Sequence, residues 1–410
     1  MNEPQRYHHI CASSGCDCHL TRRDLLRLGA LSTAAVAAPL LAAGQARAQA
    51  FKGDDQPVRI GYLPITDATP LLVAHARQLY EAEGLRTEAP RLFRSWAQLV
   101  EAFVAGQVNV IHLLSPATLW VRYGTRFPAK IVAWNHTNGS ALTVAPQIGS
   151  VRELGGKTVA IPFWYSIHNI VLQRLLRENG LVPVVRPRDG TLRDNEVNLV
   201  VLPPAEMVSA LAGRAIAGFI VADPFNAAAE TLGVGKVLRF TGDVWKDHAC
   251  CVLTLAERDT VERPEWAQRV TTATVRAQLW VRGNQTETAK LLARDGPGKY
   301  TPHTLQVLNK VLTATDYESY ERAGVVLHRD WQERRIDFQP YPYPSYTEEL
   351  VKSLRLTHVE GQAAFLNELD PAFAARDLVD DRFVRRALEQ VGGLPAFGRP
   401  AAWTRREVLG

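Results

Sequence analysis

The chain has 410 residues, of which 46% are hydrophobic, and its 47 lysines and arginines against 42 aspartates and glutamates leave a formal charge of +5. That balance is mild, and no basic stripe interleaved with aromatics is present, which argues against nucleic acid as a partner. The length suits two compact units, and the apolar content suits ordinary globular cores.

The first 48 residues read as a leader. Thr21-Arg22-Arg23-Asp24-Leu25-Leu26-Arg27 is a twin-arginine pattern, Leu28 to Ala43 is apolar, and Ala46-Arg47-Ala48 fits the small-x-small cleavage rule. The apolar run is shorter than the ~20 residues of a membrane span. The expectation is a twin-arginine signal peptide over 1–48, a mature chain beginning near Gln49, and a periplasmic location. The leader carries five basic and three acidic residues, so its loss brings the net charge to +3. Cys11, Cys16 and Cys18, near His8, His9 and His19, would leave with it, and they form no C-x-x-C-H haem signature. Cys250 and Cys251 remain. Sequence neighbours rarely bond each other without strain and free cysteines are commonly buried, so the pair reads as small buried residues, and no metal or cofactor is expected.

From Val58 to about Val144 the β runs VRIGYL, LRTEAPRL, VNVIHLL and AKIVAW alternate with the helical runs LLVAHARQLYEAEG and WAQLVEAFVAG. Alternation of this kind predicts a mainly parallel sheet covered by helices, with ligand at the carboxyl ends of the strands. The turn from Pro64 to Pro70 holds Thr66 and Asp67 where a strand meets a helix N-terminus, a place where free N–H groups collect and anions fit. Ser95 is a candidate cap for the helix that opens on Trp96.

The pattern restarts at Gly149. Lys157 to Ile161 reads as a strand and Ser166 to Glu178 as a helix with His168 in its first turn. Strands at Asn198 to Leu202 and Ala217 to Val221 follow, the last stopping at Asp223-Pro224, and a β run at Cys251 to Leu255 returns toward the first unit. Beyond Pro264 the periodicity is helical, over 266–280, 302–315, 345–354 and 382–391. From about Pro395 the chain reads as either a loose tail or a packed arm.

The segments GYLPITDATPLLVA, SWAQLVEAFVAGQVNVIHLLSPATLW, GGKTVAIPFWYSIHNIVLQRLL, PPAEMVSALAGRAIAGFIVADPFNAAA and VWKDHACCVLTL occur in this order over most of 58–256. In these the chain resembles the periplasmic substrate-binding proteins of the nitrate, bicarbonate, sulfonate and taurine importers, the nitrate/bicarbonate branch most closely. The resemblance implies an α/β, two-lobed periplasmic-binding-protein fold of type II, with mainly parallel sheets and a helical C-terminal portion. Lobe 1 would take 55–145 plus 255–400, and lobe 2 would take 146–250. It also implies a non-enzymatic monomer that closes on a small anionic or polar solute and delivers it to a membrane permease and its ATPase.

Carried over by position, Trp96 and His168 match pocket residues of the nitrate branch. Asp223 stands where glutamate is more usual, Ser140 near where a glutamine meets the ligand, and Cys251 where a lysine is expected. With Thr66 and Asp67, these are the expected ligand-binding residues. A cysteine cannot supply a lysine's charge, which moves the expected solute away from nitrate or bicarbonate. Two alternatives stand beside the importer: an enzyme like the related thiamine-pyrimidine synthases, and a periplasmic sensor subunit.

Overall fold

The structure is a computed structural model that describes residues 56–187, 190–313, 316–331 and 333–410. The leader, with its arginine pair and three cysteines, lies outside the described residues. Four strands come first: β1 (Ile60–Tyr62), β2 (Arg91–Leu92), β3 (Val110–Leu114) and β4 (Ala129–Trp134). The two-residue β5 (Thr137–Asn138) precedes β6 (Ser140–Val144), β7 (Lys157–Ile161), β8 (Val182–Val184), β9 (Glu196–Val201), β10 (Gly218–Ala222) and β11 (Lys236–Phe240). Last come β12 (Cys251–Ala256) and β13 (Ile336–Asp337).

Two sheets result, ordered β2-β1-β3-β12-β4 and β11-β6-β10-β7-β9-β8, and β13 pairs with β5. All pairings within the two large sheets are parallel except those of β12 and β6, each antiparallel to both neighbours. Each sheet thus holds one reversed strand, and that strand is the one the chain enters after crossing from the other sheet. The fold is the two-lobed α/β arrangement expected. Strands buried on both faces, such as VIHLL and SALTV, are continuous apolar runs broken by single polar residues.

Some local elements differ from expectation. LRTEAPRL forms only β2, because Pro90 has no N–H to give a ladder and the strand lies exposed on the sheet edge. LLVAHARQLYEAEG is two helices, Thr69–Ala76 and Leu79–Ala82, separated by Gln78 in a left-handed conformation at φ 55°. The break leaves Tyr80 in the core.

The crossings run side by side. Asn138 N–H donates to the His248 carbonyl at 3.0 Å, and Thr137 bridges Ala249. Gly139, at φ 76°, makes the turn into β6; a Cβ there would lie 2.9 Å from the Ile336 side chain. The chain therefore enters the second sheet at Ser140, before the boundary expected near 145. The C-terminal portion also departs from its expected place wholly in lobe 1. Tyr317, Val325 and Val326 form a small separate core with Ala141, Val237 and Phe240 of the second sheet. Apolar side chains exposed by β6 and β11 need this cover.

The last residues form a packed arm. Lys246 N–H donates to Val408 O at 3.0 Å, Gly410 N–H to Val244 O at 2.9 Å, and Trp245 Nε1–H to Glu407 at 2.9 Å. The Arg405 guanidinium sits 4.9 Å over the Trp134 ring, and Arg399 holds both oxygens of Asp247.

Candidate functional site

The polar centre lies where β1, β3 and the crossings end. Leu63 N–H, just past β1, donates to Nε2 of His112 at 3.0 Å. Because Nε2 accepts, the proton of the neutral ring sits on Nδ1, and that buried N–H has no partner among the described residues. Burial drives His112 down to about 3, so the ring stays neutral. Trp96 packs edge-on to it, ring centroids 5.4 Å apart, and its buried Nε1–H is also unpartnered. Ser95 fixes this indole by accepting Gln98 N–H at 3.3 Å. The single helical turn Thr66–Ala68 turns Asp67 fully out of solvent. Thr66 donates through both its N–H and its hydroxyl to the Asp223 carbonyl, each at 2.9 Å, and so latches the first sheet to the segment after β10.

The second sheet contributes Ser140 and His168. Ser166 caps the helix Ile167–Glu178 by accepting Asn169 N–H at 3.1 Å, which sets His168 in the first turn. Nε2 of His168 is 2.9 Å from Ser140 Oγ and 3.8 Å from Cys250 Sγ, while its buried Nδ1 has no partner among the described residues. Asp223 is differently placed: Arg335 takes both its carboxylate oxygens.

Between the sheets lie Asp67, His136, Cys250 and Cys251, all buried, with one donor atom from each within 4.8 Å of the others. Both cysteines are free thiols. His136 Nε2 is 2.9 Å from Asp67 Oδ2 and also 3.3 Å from Cys251 N–H. Burial would raise Asp67, but the charge of His136 holds it below the usual carboxylate range. Burial would likewise lower His136, but Asp67 lifts it to about 10. Burial also works to raise Cys250, yet a hydrogen bond from Cys251, helped by His168 and His136, brings it down to about 5; Cys251 is pushed up by burial and by its neighbour. His248, hydrogen-bonded to Thr241 at 2.8 Å, falls to about 3 through burial.

Of the expected residues, Asp67 and Cys251 cluster with His136 and Cys250, Ser140 and His168 meet at Cys250, and Trp96 packs on His112, whose ring feels the charges of Asp67 and His136. Thr66 and Asp223 pair with each other at its margin. Sequence reasoning missed His112, His136 and Arg335. A histidine inside the apolar run VIHLL was a usable signal for the first; the other two have no local signature.

This architecture is that of a periplasmic binding protein. The NMT1-like family matches residues 52–294, and the chain belongs to that family. It is 26% identical over 293 residues to the nitrate/nitrite binding protein NrtA of a Nostoc species, covering 66% of this chain and 62% of that one. The chain thus spans less than two thirds of that relative's length. Among solved structures it is similar to the periplasmic nitrate-binding protein NrtA of Synechocystis, with a TM-score of 0.66, 19% identity, and coverage of 85% of this chain and 92% of that one. It is also similar to the aliphatic sulphonate binding protein SsuA of Escherichia coli, with a TM-score of 0.55, 18% identity, and coverage of 79% and 92%.

Proposed function

We propose that this chain is the periplasmic solute-binding component of an ABC importer of the nitrate/sulfonate type, holding a small anionic or polar solute between its two sheets. The observation that carries this reading is the pair of buried N–H donors, Trp96 Nε1 and His112 Nδ1, unpartnered among the described residues, together with the buried Ser140–His168 pair that the other sheet supplies. A buried donor without an acceptor costs ~1–3 kcal/mol, which a solute oxygen would recover. A monomer exported through its twin-arginine leader would deliver the solute to a membrane permease driven by an ATPase. The names of its relatives support a binding role over an enzymatic one.

The donors are uncharged, and Cys251 stands where the resemblance implies a lysine. One lost charge-assisted hydrogen bond is worth roughly 1.5–3 kcal/mol, about 10- to 150-fold in affinity. Nitrate should bind weakly, and a sulfonate or a less charged heterocycle better. Calorimetry with nitrate, bicarbonate, taurine, alkanesulfonates and pyrimidines tests this, with Trp96→Ala and His168→Ala both expected to weaken whatever binds. Micromolar nitrate binding would overturn the selectivity, and silence toward every solute would overturn the binding role.

A further inference from the structure

We propose that Asp67, His136, Cys250 and Cys251 form a four-donor site for a thiophilic divalent metal ion of the zinc class. This goes beyond the solute reading and does not depend on it. Two sulfurs, an imidazole and a carboxylate are a donor set for tetrahedral zinc-type ions, whereas calcium and magnesium take oxygen donors. Tetrahedral bonds of about 2.0–2.3 Å place donor atoms roughly 3.3–3.8 Å apart, so a cluster already inside 4.8 Å closes with small side-chain rotations.

Adjacent cysteines in a strand would point to opposite faces. Cys250 lies in the bend before β12, and β12 begins at Cys251, so both sulfurs turn to one centre. A second observation points the same way. Asp67 is fully buried, yet its Oδ1 has no hydrogen-bond partner among the described residues, its Oδ2 has only the contact with His136, and His136 Nδ1 has no partner either. The 2.9 Å contact of His136 Nε2 with Asp67 is contested, because the same nitrogen lies within reach of Cys251 N–H and cannot both donate to the carboxylate and accept from the amide. An ion among these four residues satisfies the carboxylate and removes that conflict. The donors belong to the first sheet and the crossings, while Ser140 and His168 of the second sheet cover them, so parting the sheets gives the ion its entry.

The test uses the mature chain, reduced and stripped of metal, titrated with Zn²⁺ by calorimetry and with Co²⁺ by absorption. One ion per chain, with thiolate-to-cobalt charge transfer and intense tetrahedral d–d bands, is expected. Since altering residues behind a metal's ligands costs 10–100-fold, removing two ligands in Cys250→Ser/Cys251→Ser should weaken zinc by more than about 100-fold. Ser209→Ala, at an exposed position of the helix Pro204–Ala212, should leave zinc binding unchanged. Unfolding in EDTA checks that the double variant folds, and His136→Gln replaces it if it does not. A six-coordinate cobalt spectrum without a thiolate band, zinc binding indifferent to these variants, or a metal-free Cys250–Cys251 disulfide in protein from its own host would overturn the site. Solute calorimetry on the metal-free chain reports on the solute reading alone.

Discussion

Arg335 grips Asp223 through two parallel hydrogen bonds, Nε to Oδ2 at 2.6 Å and Nη2 to Oδ1 at 2.8 Å, with both side chains wholly out of solvent. Arg335 precedes β13, and its carbonyl accepts Gly139 N–H at 2.8 Å, so one residue ties the C-terminal portion to both the first crossing and the end of β10. Arg335→Met would strand a buried carboxylate and should cost about 3–5 kcal/mol. Adding Asp223→Asn should recover much of that loss. Urea unfolding of the single and double variants measures both, and a loss under ~1 kcal/mol for the single variant would show that the pair holds little.

Acid should weaken the fold through His303. Its Nε2–H donates to the Pro64 carbonyl at 3.0 Å, its ring meets Phe225 edge-on, and burial drives it from 6.5 down to about 4. The unfolded chain takes up this proton below about pH 6.5 and the folded chain only below about 4. Between those values the unfolded state binds more protons, so stability falls as pH falls, by on the order of 3 kcal/mol over the window. Denaturant midpoints from pH 7 to 4.5 should drop, and His303→Asn should remove its share of that drop, leaving the part due to His112 and His248, which burial also holds low.

Thr66→Val keeps the N–H to the Asp223 carbonyl but deletes the hydroxyl bond. About 1 kcal/mol less holding the sheets together should shift the closed population and solute affinity roughly five-fold. Small-angle scattering should show a more open average for the variant, and an unchanged profile and affinity would mean that the hydroxyl does not latch.

Trp96→Phe isolates the indole N–H, since the ring contact with His112 survives. An anionic solute should bind about ten-fold more weakly, for one hydrogen bond lost, with unfolding nearly unchanged. Equal affinity by calorimetry would assign Trp96 to packing alone.

Much of the fold was readable because its signals are local. AKIVAW is β4 to the residue, and Ser95 caps the helix it was expected to cap. The site was half readable: Asp67, Trp96 and His168 sit at strand-to-helix junctions, where chain order alone suggests a ligand. His136 follows a strand without any helix behind it, and Arg335 meets Asp223 from 112 residues away. No spacing encodes such a meeting. The same holds for Tyr317, Val325 and Val326, whose apolar faces say that they pack but not on which sheet.

The arm at the chain's end has a mechanical consequence. Val408 and Gly410 are stitched to Val244 and Lys246, the very segment that carries the chain back from β11 to β12. The arm is a splint laid across the joint, and the ease of opening is set partly by residues remote from any solute. Weakening the arm, as in Glu407→Gln, would loosen that joint directly and alter its stiffness.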